Sequence, residues 1–316
     1  MTLSTAVVGV GYLGKFHAQK FADLDGCELA AVVDPDMEAA RRSAEPAGAR
    51  ALADYRELLG HVDAVSIAAP TSLHHRIARD FLAAGAHVLV EKPITVTVTE
   101  ADELVALAAE RGLVLQVGHL ERFNPALRAA DAILEAPRFI ESHRLAPFNP
   151  RGTDVDVVLD LMIHDIDIIL DIVRSPVVRA DASGAEVLTH ATDIANARLE
   201  FENGCVANVT ASRVSAKTER RMRFFQHDCY LAVDFQGRRL TVHRKGAEEM
   251  YPGIPELITE DQTFEAGDAI RAEIESFLDC IRNGTAPLVS GADGRRALAT
   301  AIDITRRFGA STRERA

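Results

Sequence analysis

Nowhere in the 316 residues do eighteen apolar residues run together, so no helix is expected to span a bilayer. The N-terminal apolar stretch lacks a basic flank, which argues against a secretory leader, and it reads as a strand instead. Cysteine is sparse. Cys27, Cys205, Cys229 and Cys280 are scattered without a C-x-x-C pair, which excludes a disulfide framework or zinc ribbon and fits reduced thiols in a cytoplasm. Positive charge is short too: 35 Lys and Arg against 47 Asp and Glu leave a net charge of −12. Such a surface repels nucleic acid and anionic lipid, so neither is expected as a partner. Internal repeats and low-complexity segments are absent as well. An anionic small molecule would need arginines concentrated locally.

What is present is a chain that is 47% apolar and long enough for two domains. Residues 5–10 read as a buried strand (Ala6, Val7, Val8, Val10), residues 14–24 as a helix, and residues 28–33 as a second strand ending in Asp34. Gly9-x-Gly11-x-x-Gly14 between strand and helix has the spacing of a dinucleotide fingerprint. The first glycine permits the tight turn, the second lets backbone approach a pyrophosphate, and the third allows close helix–strand packing. The helix N-terminus favours the anion. Asp34 suits the two ribose hydroxyls of NAD and repels a 2′-phosphate. Arg41 and Arg42 come only seven and eight residues later, so NAD is expected over NADP.

The alternation continues to residue 120. A strand at 62–68 leads into Pro70-Thr71-Ser72 and a helix stopped by Gly85. A strand at 87–90 follows, then a helix opened by Thr99-x-x-Asp102 and closed by Gly112, then a strand at 114–117. These elements describe a doubly wound parallel sheet, whose ligands sit beyond the carboxyl ends of the strands, where Pro70, Glu91 and Gly118 fall. After Pro125 the pattern changes. Helices are expected at 126–134 and 156–173, and strands at 138–145, 196–201, 206–212, 222–226, 230–235 and 239–243. Terminal helices follow at 268–281 and 294–307, with a mobile tail after Phe308. The fold class is α/β: an N-terminal Rossmann domain over 1–120, and over 121–316 an α+β domain with a largely antiparallel sheet for substrate binding and oligomerisation. An open sheet face predicts a homo-oligomer.

Gly9-Val10-Gly11-Tyr12-Leu13-Gly14, Pro70-Thr71-Ser72-Leu73-His74, the run from Ala84 to Pro93 ending in Glu91-Lys92-Pro93, Asp160-x-x-x-His164 and Val289-Ser290-Gly291-x-Asp293-Gly294 occur in this order. In these landmarks the chain resembles the Gfo/Idh/MocA family of NAD(P)-dependent oxidoreductases over essentially its full length. Gly118-His119-Leu120-Glu121-Arg122-Phe123-Asn124-Pro125 and His164-Asp165-Ile166-Asp167 are similar to the family's UDP-N-acetylglucosamine 3-dehydrogenase branch. The resemblance implies NAD as cofactor, Lys92 at the reacting hydroxyl, a cis peptide before Pro93 and His74 near the nicotinamide. The expected cofactor contacts are Gly9, Gly11, Tyr12, Leu13, Gly14, Asp34, Pro70, His74, Glu91 and Lys92.

Oxidising a secondary alcohol needs a hydride acceptor, a base for the hydroxyl proton and a group that stabilises the developing oxyanion. Asp160 and His164 lie four apart, on one face of the expected helix, with Val157, Leu161, Ile168 and Ile172 opposite. The residues predict His164 as base, Asp160 as its orienter and Lys92 polarising the oxygen; Lys92 and His164 can also exchange roles. No companion His/Cys/Glu cluster accompanies the pair, so no metal is expected. The five basic residues between Arg213 and Arg223 read as a solvated strand face. For a sugar nucleotide substrate, Arg122, Arg144 and Arg151 on loops are candidate diphosphate donors. Asn124 is a candidate for a sugar hydroxyl or N-acetyl group, with His119, Lys92 and His164 as further substrate contacts. The expected activity is oxidation of the UDP-GlcNAc 3-hydroxyl, feeding amino-sugar synthesis for lipid A or a surface glycan. The alternatives are a dehydrogenase of a free polyol such as an inositol, and a dinucleotide-sensing regulator on the same fold.

Overall fold

The structure, a computed structural model, describes residues 2–149 and 155–313. In chain order the first elements are β1 (Leu3–Val8), α1 (Gly14–Asp23), β2 (Cys27–Val33), α2 (Met37–Ala44), β3 (Arg50–Leu52), β4 (Ala64–Ile67), α3 (Thr71–Ala83), β5 (His87–Glu91), α4 (Val98–Arg111) and β6 (Leu115–Gly118). Then follow α5 (Pro125–Asp131), β7 (Phe139–Leu145), a π-helical turn (Val158–Met162), α6 (Ile163–Val173), β8 (Val177–Ala185), β9 (Ile194–Phe201) and β10 (Val206–Ser212). The last are β11 (Glu219–Phe225), β12 (Cys229–Asp234), β13 (Arg239–Tyr251), β14 (Ile254–Thr263), α7 (Ala269–Asn283) and α8 (Gly291–Arg313).

Two compact units emerge. The first runs to Leu120 and takes back Asp268–Leu298; the second holds Glu121–Gly267 and the chain from Ala299. The linear division at residue 120 thus omits α7, whose Ile274, Phe277 and Leu278 pack into the first core with Val7, Phe21, Val32 and Leu89. The first unit carries a six-stranded sheet in the order β3-β2-β1-β4-β5-β6. All its pairings are parallel. The order reverses between β1 and β4, the switch point at which doubly wound sheets bind ligands.

The second unit carries an eight-stranded sheet, β14-β13-β12-β11-β7-β10-β9-β8. It is antiparallel apart from the β7–β10 pair. Alternation in β7 sends Ile140, Ser142 and Arg144 inward to α6, where Arg144 meets Asp165. The outward face carries a cross-strand row of rings. Phe139, Phe225, Tyr230 and His243 are register partners across β7, β11, β12 and β13, with centroids 5.8, 5.3 and 4.1 Å apart.

Several expectations need correction. Strands β8 and β14 lie at the two sheet edges and are mostly exposed, so they lack the apolar alternation that reveals a strand. Helix α4 starts two residues earlier than read: Thr97, not Thr99, is its N-cap, in a capping box with Glu100. The expected helix over 156–173 is a π turn followed by α6. Its polarity is not one-sided, because Asp165 and Asp167 are buried while Leu161 and Ile172 are only half-buried. Helix α8 runs on to Arg313 rather than ending near residue 307. Among the described residues no helix is long and apolar enough to cross a membrane.

Candidate active site

The β1–α1 turn divides its labour among three glycines. Gly9 has φ +88°, and a Cβ there would stand 2.7 Å from the Ala68 carbonyl oxygen. A Cβ on Gly14 would run into the Gly9 carbonyl. Gly11 is different: a Cβ on it would meet nothing within 4 Å. Gly9 and Gly14 are therefore glycine for the protein's own packing. The space over Gly11 suits a ligand that approaches the backbone, and the N-terminus of α1 behind it presents N–H groups for an anion. Asp34, just past β2, is already oriented: Oδ2 accepts from Val10 N at 2.9 Å and Oδ1 from Asp36 N at 2.9 Å. Asp36 in turn caps α2 through Glu38 N and Ala39 N. Arg41 and Arg42 are exposed on α2. The residues present fit a dinucleotide. Tyr12 is exposed beside Leu13 in the same turn, its ring 5.8 Å from Lys15 Nζ.

Strand β5 ends in Glu91, and the Lys92–Pro93 peptide is cis. Behind it stands His74 on α3, buried, with Nδ1 2.9 Å from the Pro93 carbonyl and Nε2 2.8 Å from that of Ala69. His74 thus ties the segment after Pro93 to the segment that enters α3 at Pro70. Two carbonyls ask for two N–H donors, which only the imidazolium has. Burial opposes that charge and holds the ring below its ordinary value despite those bonds. His75 lies outside this arrangement and meets Glu103 at 2.8 Å.

Glu91 heads a buried cluster that the sequence reading missed. His17 Nε2 lies 3.2 Å from Glu91 Oε1, Ser66 Oγ 2.8 Å from His17 Nδ1, and one ligand atom each of His17, Glu91 and Glu273 lie within 4.8 Å of one another. The signal was in the pattern. His17 shares the buried face of α1 with Gly14, Ala18 and Phe21. Glu273 shares that of α7 with Phe277 and Cys280, four and seven residues on.

In the second unit, Asp160 sits in the π turn and His164 in the first turn of α6, both half-buried. Asp156 caps the turn through Val158 N at 3.0 Å and Leu159 N at 3.3 Å. Just before it, Arg213 Nη1 donates to the Val155 carbonyl at 2.7 Å and Arg213 Nε to Asp193 Oδ1 at 2.8 Å. Arg213 is therefore buried scaffolding, not part of a solvated strand face. Asp193 Oδ2 also takes the N–H groups of Val187, Leu188 and Thr189. Burial works against the Asp193 charge, but these donors hold its carboxyl well below the usual range.

The candidate diphosphate donors stand differently from the reading. Arg122, 4% exposed, pairs with Asp171 at 2.9 Å and Asp167 at 3.5 Å. Arg144 lies in strand β7, not on a loop, and pairs with Asp165 at 2.7 Å and Glu121 at 2.9 Å. Burial disfavours the Arg144 charge, yet Asp165 and Glu121 outweigh it and raise the guanidinium further. Asn124 accepts from Ala126 N and donates to the Phe235 carbonyl at 3.0 Å, so it caps α5 and braces β12. His119 is buried directly after β6. Arg151 lies outside the described residues.

Comparison with known proteins places this geometry. Residues 3–119 match a family described as "Oxidoreductase family, NAD-binding Rossmann fold", and residues 136–230 match the "GFO/IDH/MocA C-terminal domain". The chain is 43% identical over 303 residues to a UDP-N-acetylglucosamine 3-dehydrogenase of Acidithiobacillus ferrooxidans, covering 96% of each. A solved structure of an enzyme so named from that organism superposes with a TM-score of 0.92 over 98% of both chains. A scyllo-inositol 2-dehydrogenase (NAD(+)) of Bacillus subtilis is 26% identical over 334 residues, 96% of this chain and 93% of that one.

Proposed function

The chain belongs to the Gfo/Idh/MocA oxidoreductase family, with an NAD-binding Rossmann domain, and on that premise we propose that it oxidises the 3-hydroxyl of UDP-N-acetylglucosamine to a 3-keto sugar nucleotide. The observation that carries the reading is the 43% identity to an enzyme of that name, sustained over 96% of both chains. Lys92, Asp160 and His164 are all present to perform the chemistry.

NAD, when bound, supplies the hydride acceptor. The turn at Gly9, Gly11 and Gly14 holds its pyrophosphate, and Asp34 its ribose hydroxyls. Tyr12, Leu13, Pro70 and His74 complete the cofactor contacts. His164 takes the proton of the hydroxyl being oxidised, since an imidazole titrates near working pH. Asp160 orients the ring. Lys92 donates to the same oxygen as negative charge grows on it. Exchange of the Lys92 and His164 roles leaves the residue set unchanged. The product, a ketone beside an N-acetyl group, suits a later amination in amino-sugar synthesis for lipid A or a surface glycan.

One observation favours a second reading, a free-polyol dehydrogenase. The two candidate phosphate donors, Arg122 and Arg144, are each occupied by two internal carboxylates. The assay that decides is NADH formation with UDP-GlcNAc, GlcNAc and myo-inositol in parallel. Turnover with UDP-GlcNAc alone supports the proposal, because remote nucleotide binding raises turnover as well as affinity. Turnover with inositol alone replaces the substrate and keeps the fold and cofactor. The protein acts in the cytoplasm and as a homo-oligomer; the row of rings from Phe139 to His243 on the outward sheet face is the surface through which copies join.

A further inference from the structure

Of the His17–Glu91–Glu273 cluster only Glu91 has a part above, as an expected cofactor contact; His17 and Glu273 have none. The cluster combines three unusual features. It is deeply buried: His17 and Glu273 are 1% exposed, and the Glu91 side chain 13%. It sits directly under the catalytic segment, because Glu91 Oε2 accepts from Lys92 N at 3.3 Å. It also leaves buried polar atoms without protein partners, Glu273 Oε1 and Gln116 Oε1, in one place, since Gln116 Nε2 donates to the Glu273 backbone carbonyl at 3.0 Å.

Two carboxyl groups this close in a desolvated pocket disfavour each other's ionisation. The surroundings decide which is disfavoured more. Glu91 has the positive partners: burial raises its carboxyl, but the His17 hydrogen bond and the charges of His17 and Lys92 outweigh that and leave it lowered. Glu273 Oε1 has no hydrogen-bond partner among the described residues. Burial and the Glu91 charge both push its carboxyl well above the ordinary 4.5. The backbone leaves room for the Glu91 carboxyl group. Gly118 is its register partner on β6, and a Cβ there would press 3.0 Å from the Glu91 carboxylate.

We propose that Glu273 is a positioning residue: it stands as the neutral acid beside Glu91 and so keeps a single fixed carboxylate beneath Lys92. Ionising Glu273 would set a second negative charge within 4.8 Å of Glu91, with only His17 and Lys92 as counter-charges. It would pull His17 and the Lys92 backbone away from their present partners. The groups placed beside Glu273 are His17 on α1, Glu91 at the end of β5 and Gln116 on β6; Ser66 and Lys92 reach the cluster through His17 and Glu91. The proposal rests on the dehydrogenase reading only where turnover is measured.

The sign of the pH effect follows. The folded state keeps the Glu273 proton over a range in which the unfolded chain has lost it. Stability therefore falls as pH rises from 4.5 toward the raised folded value, and levels off above it. Glu273→Gln, a neutral isostere, removes that fall. Infrared spectra of the wild-type protein at neutral pH are expected to show a protonated-carboxyl band that Glu273→Gln abolishes. The melting temperature of Glu273→Gln should rise relative to wild type as pH increases. Turnover should survive in Glu273→Gln, with its alkaline limb moved to higher pH, and be lost in Glu273→Ala while NADH still binds. The infrared and melting measurements hold whatever the substrate, so their failure is distinct from failure of the UDP-GlcNAc assignment. Absence of the band, loss of turnover in a folded, NADH-binding Glu273→Gln, or a stoichiometric metal ion that the Gln variant no longer holds would overturn the proposal.

Discussion

Asp34 and Val10 are joined across the β1–α1 turn, Val10 N donating to Asp34 Oδ2 at 2.9 Å. The carboxylate proposed to select the cofactor therefore also fixes the glycine turn. Asp34→Ala is expected to weaken NADH binding and narrow the preference over NADPH, while Asp34→Asn keeps part of the turn through its side-chain oxygen. Fluorescence titration with both reduced cofactors checks this. Equal affinity of the unmodified protein for NADH and NADPH would contradict the assignment.

His164→Ala is expected to lower turnover by roughly 10²–10⁴, the span usual for a lost general base. NADH affinity, which the proposal assigns to the glycine turn and Asp34, is expected to stay unchanged. Steady-state kinetics paired with NADH titration separates this from a collapse of the fold, in which both would fall together.

Arg144 braces Asp165 and Glu121 in a buried setting. Removing one partner of such a cluster typically costs about 3–5 kcal/mol, because the buried Asp165 carboxylate loses its Arg144 partner while Glu121 keeps, among the described residues, only Arg220 at 3.5 Å. Arg144→Met should therefore lower the melting temperature strongly, and adding Asp165→Leu should recover part of the loss. If Arg144→Met instead leaves the melting temperature intact and raises only KM for a sugar nucleotide, the guanidinium serves the substrate.

Asp193 provides the acid limb of stability. Its carboxyl is held below the ordinary 3.8, so its contribution is present in full above that value and is lost as pH falls toward the folded one. Asp193→Asn should destabilise the protein near neutrality and flatten acid unfolding, followed by circular dichroism against pH. An unchanged acid midpoint would remove Asp193 from the account.

Much of the first unit was legible because its signals are local. Gly9, Gly11, Gly14 and Asp34 sit at the spacing of a β–α–β dinucleotide turn, and the strands from Leu3 to Gly118, apart from the short β3 that the sequence did not reveal, are apolar runs with glycine or proline punctuation. What stayed hidden depends on distant partners. Arg122 and Arg144 read as candidate diphosphate donors on loops, and their pairing with Asp167, Asp171, Asp165 and Glu121 appears only in the fold. The burial of Asp165 and Asp167 stayed hidden for the same reason. The π turn at Val158–Met162 has no sequence mark that separates it from ordinary helix. Edge strands β8 and β14 gain order from pairing rather than from apolar alternation. Glu273 was visible in principle, as an acid in register with Phe277 and Cys280, but its meaning came only with His17 and Glu91 beside it.

The first core closes with Ile274, Phe277 and Leu278, and Gln116 of β6 bridges Ser290. A ribosome delivers these residues more than 150 positions after β6 leaves it. The nascent nucleotide-binding half must wait, with its Phe21 and Val32 uncovered, while the whole antiparallel sheet is synthesised. Residues Glu121–Gly267 of the second unit are in effect an insertion into the half they interrupt, which is still incomplete when they have been made. A release of the chain at residue 120 yields a sheet without its last covering helix, and chaperone capture of translation intermediates should peak before α7 emerges and fall once it has.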